Sequence, residues 1–537
     1  MPAPSPLDIP EILDNILSHC NDSANYRSLL VCQRWLNVGL DLLWYEIIDL
    51  RPLLELFGEL EKKSGSYNYI KTPSFASWQR FEKVYQNRIR IIIIEDPAPN
   101  YCSALSTLSK MRGEGPFLPK LHTFQWIDFS NLGLVEPSVM FMNDGMRVFR
   151  VGQSDDGVLD QDAFTSYCAA ISARMPSLSY LQLGVSPLQI YQEPIVTLMK
   201  QLPNLEDLDV PPFPDLTEIF LGLAEVPQIK RFRAISHFMY PPCSILNLSN
   251  SSQYIGLAKL QKMDLYCTYP FATKVLQNIS SSEMEHLTIN SHDPETSGNV
   301  CAIISLVATE FSCLTSLNLG YFPFIEDYNI LDSLLFQPSA KDMVQMGDLL
   351  PILSNCRNIS WFKLRSPYPA AIDDNDVEII AKSWPGLTWF SLCYQPGVLL
   401  PEREKRLTLK ALSHFSCHCP NMSALQLYID ATSEHIPDVA SKEVTRFTKL
   451  YRLDVGPSPI DEHAQVAYML AQLCPTAKKL WLWTGGGWMY LDEIDPRINS
   501  TWRTNWNAVK AALPVMLKMQ GKIESLQRDL NIERLFR

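Results

Sequence analysis

Residues 175–184 read M-P-S-L-S-Y-L-Q-L-G, and their apolar frame, Leu178-x-x-Leu181-x-Leu183, keeps returning along the chain. Leu181 and Leu183 lie two residues apart, so in a strand they share one face and Tyr180 and Gln182 take the other. The frame recurs at Leu121/Phe124/Trp126, Met146/Phe149/Val151, Leu205/Leu208/Val210, Ile229/Phe232/Ala234, Leu260/Met263/Leu265 and Met284/Leu287/Ile289. It continues at Leu314/Leu317/Leu319, Ile359/Phe362/Leu364, Leu387/Phe390/Leu392, Met422/Leu425/Leu427, Leu450/Leu453/Val455 and Ala477/Leu480/Leu482. Twelve steps between central positions 124 and 480 average about 30 residues, the period of a solenoid. Shared lead-ins (MPSL, LPNL, VPQI, WPGL, CPNM) separate these thirteen copies from chance triplets in a chain that is 46% hydrophobic.

Between frames run segments with apolar residues at helical spacing, such as 164–175, 195–202, 300–311, 377–384 and 466–473. One strand and one helix per repeat predicts an α/β fold, with a parallel concave sheet and convex helices over residues 118–483. The array resembles the leucine-rich repeats found with F-boxes in many substrate receptors. It departs from that pattern, because the Asn or Cys after the strand is mostly missing. Spacing also varies, from 24 residues (Leu208 to Phe232) to 45 (Leu317 to Phe362), the longest gap holding an insertion at 321–348.

Charge and cysteine usage narrow the function. With 46 basic and 58 acidic residues the net charge is −12, which argues against a general binder of nucleic acid or of an anionic membrane. No run of 18 apolar residues occurs, and the first residues lack the pattern of a signal peptide. Thirteen cysteines without fixed spacing read as reduced thiols, the usage of cytoplasm or nucleus.

The first fifty residues form a different kind of segment. After a disordered lead at 1–6, Asp8 and Glu11 suggest a capping box, and Pro10 is tolerable in a first helical turn. Ile9, Ile12, Leu13, Ile16 and Leu17 follow helical spacing, Asn21-Asp22-Ser23 restarts the chain, and a second helical run carries Leu29 to Trp44. So much apolar surface on so short a piece implies a partner.

Residues 7–50 resemble the F-box, in the form common in fungal proteins. The matching residues are Ile9-Pro10-Glu11-Ile12-Leu13, Ile16, Val31-Cys32-Gln33-Arg34-Trp35 and Leu43-Trp44, with Ile9 where the family usually has leucine. In that family the motif docks on a Skp-type adaptor of a cullin–RING ubiquitin ligase. The resemblance therefore assigns adaptor binding to Ile9, Pro10, Ile12, Leu13, Ile16, Val31, Cys32, Trp35 and Trp44, with some of them kept for the motif's own core. A helical cap on the first repeat is the competing reading.

Residues 51–117 read as a bridge: a helix at 53–60, a polar loop at 62–68, a helix near 81–85, a buried strand at Ile91-Ile92-Ile93-Ile94 and a helix near 104–111. On the concave side the frame places seven basic and four acidic residues, a positive strip in an acidic chain. Arg and Trp anchor interfaces, and clustered Arg suits carboxylate or phosphate. An acidic or phosphorylated protein segment would lie at Arg231, Arg233, Lys262, Trp361, Lys363, Arg365 and Trp389; a solvated face of mixed charge is the plainer alternative. Residues 484–537 read as a helical cap of one or two helices from about 501 to 535, broken at Pro514. The sharper reading there is a tryptophan pocket.

Motifs for chemistry are incomplete. His414, Cys417, His418 and Cys419 lack a second ligand pair at zinc spacing, and Gly485-Gly486-Gly487 lacks the residues of a phosphate loop. Asp373-Asp374-Asn375-Asp376 lacks the later ligands of a calcium loop and reads as a helix N-cap. No nucleophile has a nameable base, so the sequence predicts no enzyme and no cofactor. The expected role is a substrate-recognition subunit linking a target to a ligase; the alternative is a repeat scaffold or inhibitor that never meets one.

Overall fold

The computed structural model describes residues 7, 9–94, 100–113, 115–127, 135–152, 160–235, 243–244, 255–321, 343–396, 405–436, 445–474, 480–483 and 501–535. The chain forms two compact units, Met1–Tyr240 and Pro241–Arg537. The lead at 1–6, Asp8, the greater part of the 321–348 insertion and the triple glycine at 485–487 lie outside the described residues.

In the first unit seven strands stand side by side: Glu46–Ile47, Ile91–Ile94, Thr123–Ile127, Val148–Gly152, Tyr180–Gly184, Asp207–Val210 and Arg231–Ala234. All pair in parallel and in one register, so Ile92 meets Phe124, Phe124 meets Phe149, Phe149 meets Leu181, and Leu181 meets Leu208. The second unit repeats the scheme with Lys262–Tyr266, His286–Ser291, Ser316–Tyr321, Trp361–Leu364, Trp389–Leu392, Ala424–Leu427, Arg452–Asp454 and Trp481–Trp483. There Met263, Leu287, Leu317, Phe362, Phe390, Leu425, Leu453 and Leu482 follow one another in register. Every frame residue in these rows is buried. Aromatic members stack as columns, with Phe124 and Phe149 at 5.5 Å and Phe362 and Phe390 at 5.6 Å between ring centres. Each unit is thus a stack of strand–helix repeats whose core is one column of apolar side chains between sheet and helices.

Helices lie between the strands where the apolar spacing put them, including Gln161–Arg174, Gln192–Gln201, Ser297–Glu310, Asp374–Ser383 and His463–Leu473. Asp373 caps its helix by accepting the Asn375 and Asp376 amides, at 2.9 and 3.0 Å. Among the described residues no helix is long and apolar enough to cross a membrane.

Three segments differ from the sequence reading. Residues 53–60 are not one helix: a helix Arg51–Glu55 ends early, and Leu60–Lys63 pairs antiparallel with Ser66–Tyr69. Ser64 and Gly65 both take positive φ, 51° and 83°, which closes the two-residue hairpin. The Ile91–Ile94 strand joins the repeat sheet, and Glu46–Ile47 pairs beside it, so the stack begins before residue 118. Finally, Thr501–Leu535 is one helix that runs through Pro514. Its packing continues across the proline: Trp506, Val509, Leu513 and Leu517 are all buried, and the helix lies against His463–Leu473.

Candidate functional site

The N-terminal piece consists of three short helices, Pro10–Ser18, Asp22–Ser28 and Gln33–Leu43. Pro10 starts the first, with Ile9 as N-cap and no side-chain cap bond. Asn21 restarts the chain by accepting the Ala24 amide at 3.0 Å. The first helix divides its apolar residues between two faces. Leu13 and Leu17 are buried with Val38, and Trp35 and Leu42 pack against them. Ile9, Ile12 and Ile16 stay outside, at 37%, 38% and 44% exposed, together with Leu7. Val31 and Cys32 are exposed in the turn before the third helix, next to an exposed Leu30. Trp44 turns inward, its ring 4.7 Å from that of Tyr85.

Within the first unit this piece is fastened to the strands. Arg88 reaches the Asn37 carbonyl at 2.9 Å and pairs with Asp41, and the Tyr45 carbonyl accepts the Arg90 and Ile91 amides. Of the nine residues assigned to adaptor binding, Ile9, Pro10, Ile12, Ile16, Val31 and Cys32 are presented to solvent. Leu13 serves the internal core, Trp35 packs on it, and Trp44 is half-buried.

The seven residues assigned to the target fall in separate places. In the first unit Arg231 lies beside Asp207 and Arg233 beside Asp209, as bidentate pairs one strand apart. Tyr180 donates to Asp209 at 2.9 Å and lies between Arg150 and Arg233, whose guanidinium carbons are 5.3 and 5.8 Å from its ring centre. Arg150 also bonds Gln125 and Gln182, each at 2.6 Å. Burial pushes the Asp209 carboxyl up, against the opposing pull of Arg233 and Tyr180. This stretch of strand face is a self-paired network.

The second unit holds the other five. Lys262 lies 3.4 Å from Asp264 on its own strand. Trp361 and Trp389 stack face to face, 4.3 Å apart and 11° from parallel. Arg452 lies over the Trp389 ring at 5.4 Å. In register, Trp389 faces Ala424 and Ala424 faces Arg452; the small alanine leaves room for the guanidinium to reach across. Arg452 also pairs with Asp454 at 2.9 Å, and Gln426 donates to the same carboxylate. Lys363 neighbours Ser391 across the strands. Burial lowers its proton affinity, and the charges of Arg365 and Arg452 lower it further.

Sequence reading missed Arg452 and Ser391 as members of this face. A signal existed for the acid–base pairs. Asp207 and Arg231 occupy the same frame position in consecutive repeats, as do Asp209 and Arg233, so their contact follows from alignment of the frames.

Elsewhere, Cys419 is buried with its Sγ 3.6 Å from the Ala381 carbonyl, whereas Cys417 is exposed. Among the described residues no group of three or more His, Cys, Asp or Glu side chains converges as for a metal ion. At the C-terminal end Trp506 is buried and donates to the Ser458 carbonyl at 2.8 Å, while Trp481 and Trp483 are exposed; Trp488 lies outside the described residues.

No protein-family model matches the chain, and no curated protein matches it. Among solved structures it is similar to the yeast complex of Rad7 and Elc1, with a TM-score of 0.35 and 15% identity over 62% of this chain and 75% of that one. It is also similar to TLR13 in complex with ssRNA13, with a TM-score of 0.30 and 14% identity. That match covers 75% of this chain but only 57% of the other.

Proposed function

We propose that the chain is an F-box substrate receptor. Its three N-terminal helices dock on a Skp-type adaptor of a cullin–RING ubiquitin ligase, and its leucine-rich-repeat array holds a target protein. The observation that carries this reading is the divided first helix. Leu13 and Leu17 satisfy the internal core, yet Ile9, Ile12 and Ile16 remain bare. Three bare isoleucines on one short helix are a surface that a partner would cover. In this role the chain performs no chemistry of its own. It raises the target's local concentration at the ligase, in cytoplasm or nucleus.

Co-expression of the full chain with a Skp-type adaptor tests the reading. The pair is expected to copurify, and Ile12→Asp with Ile16→Asp is expected to separate it while leaving the melting temperature of the chain unchanged. Leu13→Asp serves as the contrast, because it unfolds the small core. If the adaptor never copurifies with the unaltered chain, the chain is instead a repeat scaffold or inhibitor.

A further inference from the structure

The strand face of the second unit holds polar groups that folding leaves unused. Asn318, Lys363, Ser391 and Gln426 form one row, paired strand to strand, and Trp361 and Trp389 stand two residues earlier on their strands. Ser391 is fully buried, yet its Oγ has no hydrogen-bond partner, nor does the Trp389 Nε1–H or the Tyr321 hydroxyl. A buried polar group left unpaired costs about 1–3 kcal/mol, so such groups mark a site completed by something else. Gln426 differs, because it is engaged with Asp454.

Cations converge on the same place. Arg452 lies over Trp389, Lys363 is beside Ser391, and Arg365 follows two residues after Lys363. The depressed proton affinity of Lys363, due first to burial and then to Arg365 and Arg452, reports how close these charges are. Lys363 and Arg365 have further interactions of their own.

We propose that this face binds a phosphorylated segment of the target protein, with the phosphate held by Lys363, Arg365 and Arg452, Ser391 Oγ and Trp389 Nε1 donating to it, and a neighbouring side chain laid on Trp361. The proposal rests on the receptor reading and adds the chemical class of the target. A phosphate ester carries about −1.5 to −2 charges at neutral pH and three acceptor oxygens, which suits a site of ammonium, guanidinium and neutral donors. The half-open indole of Trp361, 38% exposed, favours a peptide over a free ion, since only a chain brings side chains to cover it.

The test uses the full chain and three probes: a random-flanked phosphoserine peptide pool, its serine counterpart, and inorganic phosphate. Fluorescence polarisation is expected to show the phosphorylated pool binding, and the serine pool binding at least about tenfold more weakly. Ser391→Ala and Lys363→Gln are each expected to weaken the phosphopeptides about tenfold. Ser391→Ala removes an unpartnered hydroxyl, so the free protein's Tm should not fall. Equal binding of the two pools, no binding of either, or unaltered binding by both variants would overturn the proposal. So would inorganic phosphate competing as well as any peptide, which would make this a small-anion site. Adaptor copurification is read separately: losing it while phosphopeptide binding persists defeats only the receptor reading.

Discussion

Single residues set several of these features. Gly456 follows the strand Arg452–Asp454 with φ of +53°, and a Cβ built there would lie 1.9 Å from the Tyr394 carbonyl oxygen. No L side chain fits without moving one of the two backbones. Gly456→Ala is therefore expected to cost about 2–4 kcal/mol, read from chemical denaturation of the full chain. Asp430 gives a prediction with a pH signature. Burial alone would raise its carboxyl, but hydrogen bonds from Thr432 and Arg406 outweigh that and hold it below the ordinary value. A depressed folded pKa gives stability that is present above the unfolded value, about 3.9, and lost as pH falls through the folded one. Asp430→Asn should thus lower stability at pH 7 by about 2 kcal/mol, and its melting curve should approach that of the unaltered chain near pH 3.

Among elements, the last helix shows what sequence periodicity can and cannot carry. Pro514 suggested a break, because a proline inside a helix removes a backbone donor. Leu513 and Leu517 are nonetheless both buried, so tertiary packing keeps the helix whole. Trp506 anchors it, and Trp506→Ala is expected to destabilise the second unit by about 3–5 kcal/mol, measured by thermal melting followed by circular dichroism. The strands were legible residue by residue, because a period of two with large aliphatic side chains has one solution when repeated so often. The Leu60–Lys63 and Ser66–Tyr69 hairpin was not, since its strands are polar and its turn depends on Ser64 adopting a left-handed conformation. The candidate sites were half legible. Spacing gave the isoleucine row of the first helix, but which of Leu13 and Ile12 faces inward depends on the third helix. Arg231 and Arg233 read as binding residues only while each strand was considered alone; set beside Asp207 and Asp209 they are paired.

For the molecule as a whole, the thirteen cysteines report the state of the fold. Cys20, Cys32, Cys313 and Cys417 are exposed, whereas Cys168, Cys243, Cys267, Cys356, Cys393, Cys419 and Cys474 are buried. Burial pushes the Cys168, Cys393, Cys419 and Cys474 thiols up to about 12, so they hold little thiolate at neutral pH. Iodoacetamide with peptide mass mapping should modify the four exposed thiols first and the seven buried ones only after denaturant. Early modification of Cys393 or Cys474 would contradict the packing described for the second unit. The helix Thr501–Leu535, which lies on His463–Leu473, also sets a timetable. A ribosome releases it last, so the repeat beneath it waits with a greasy flank uncovered for the whole of that synthesis. A stalled or truncated product would carry that flank permanently, and chaperones or proteases that patrol for sticky surfaces would be its natural readers.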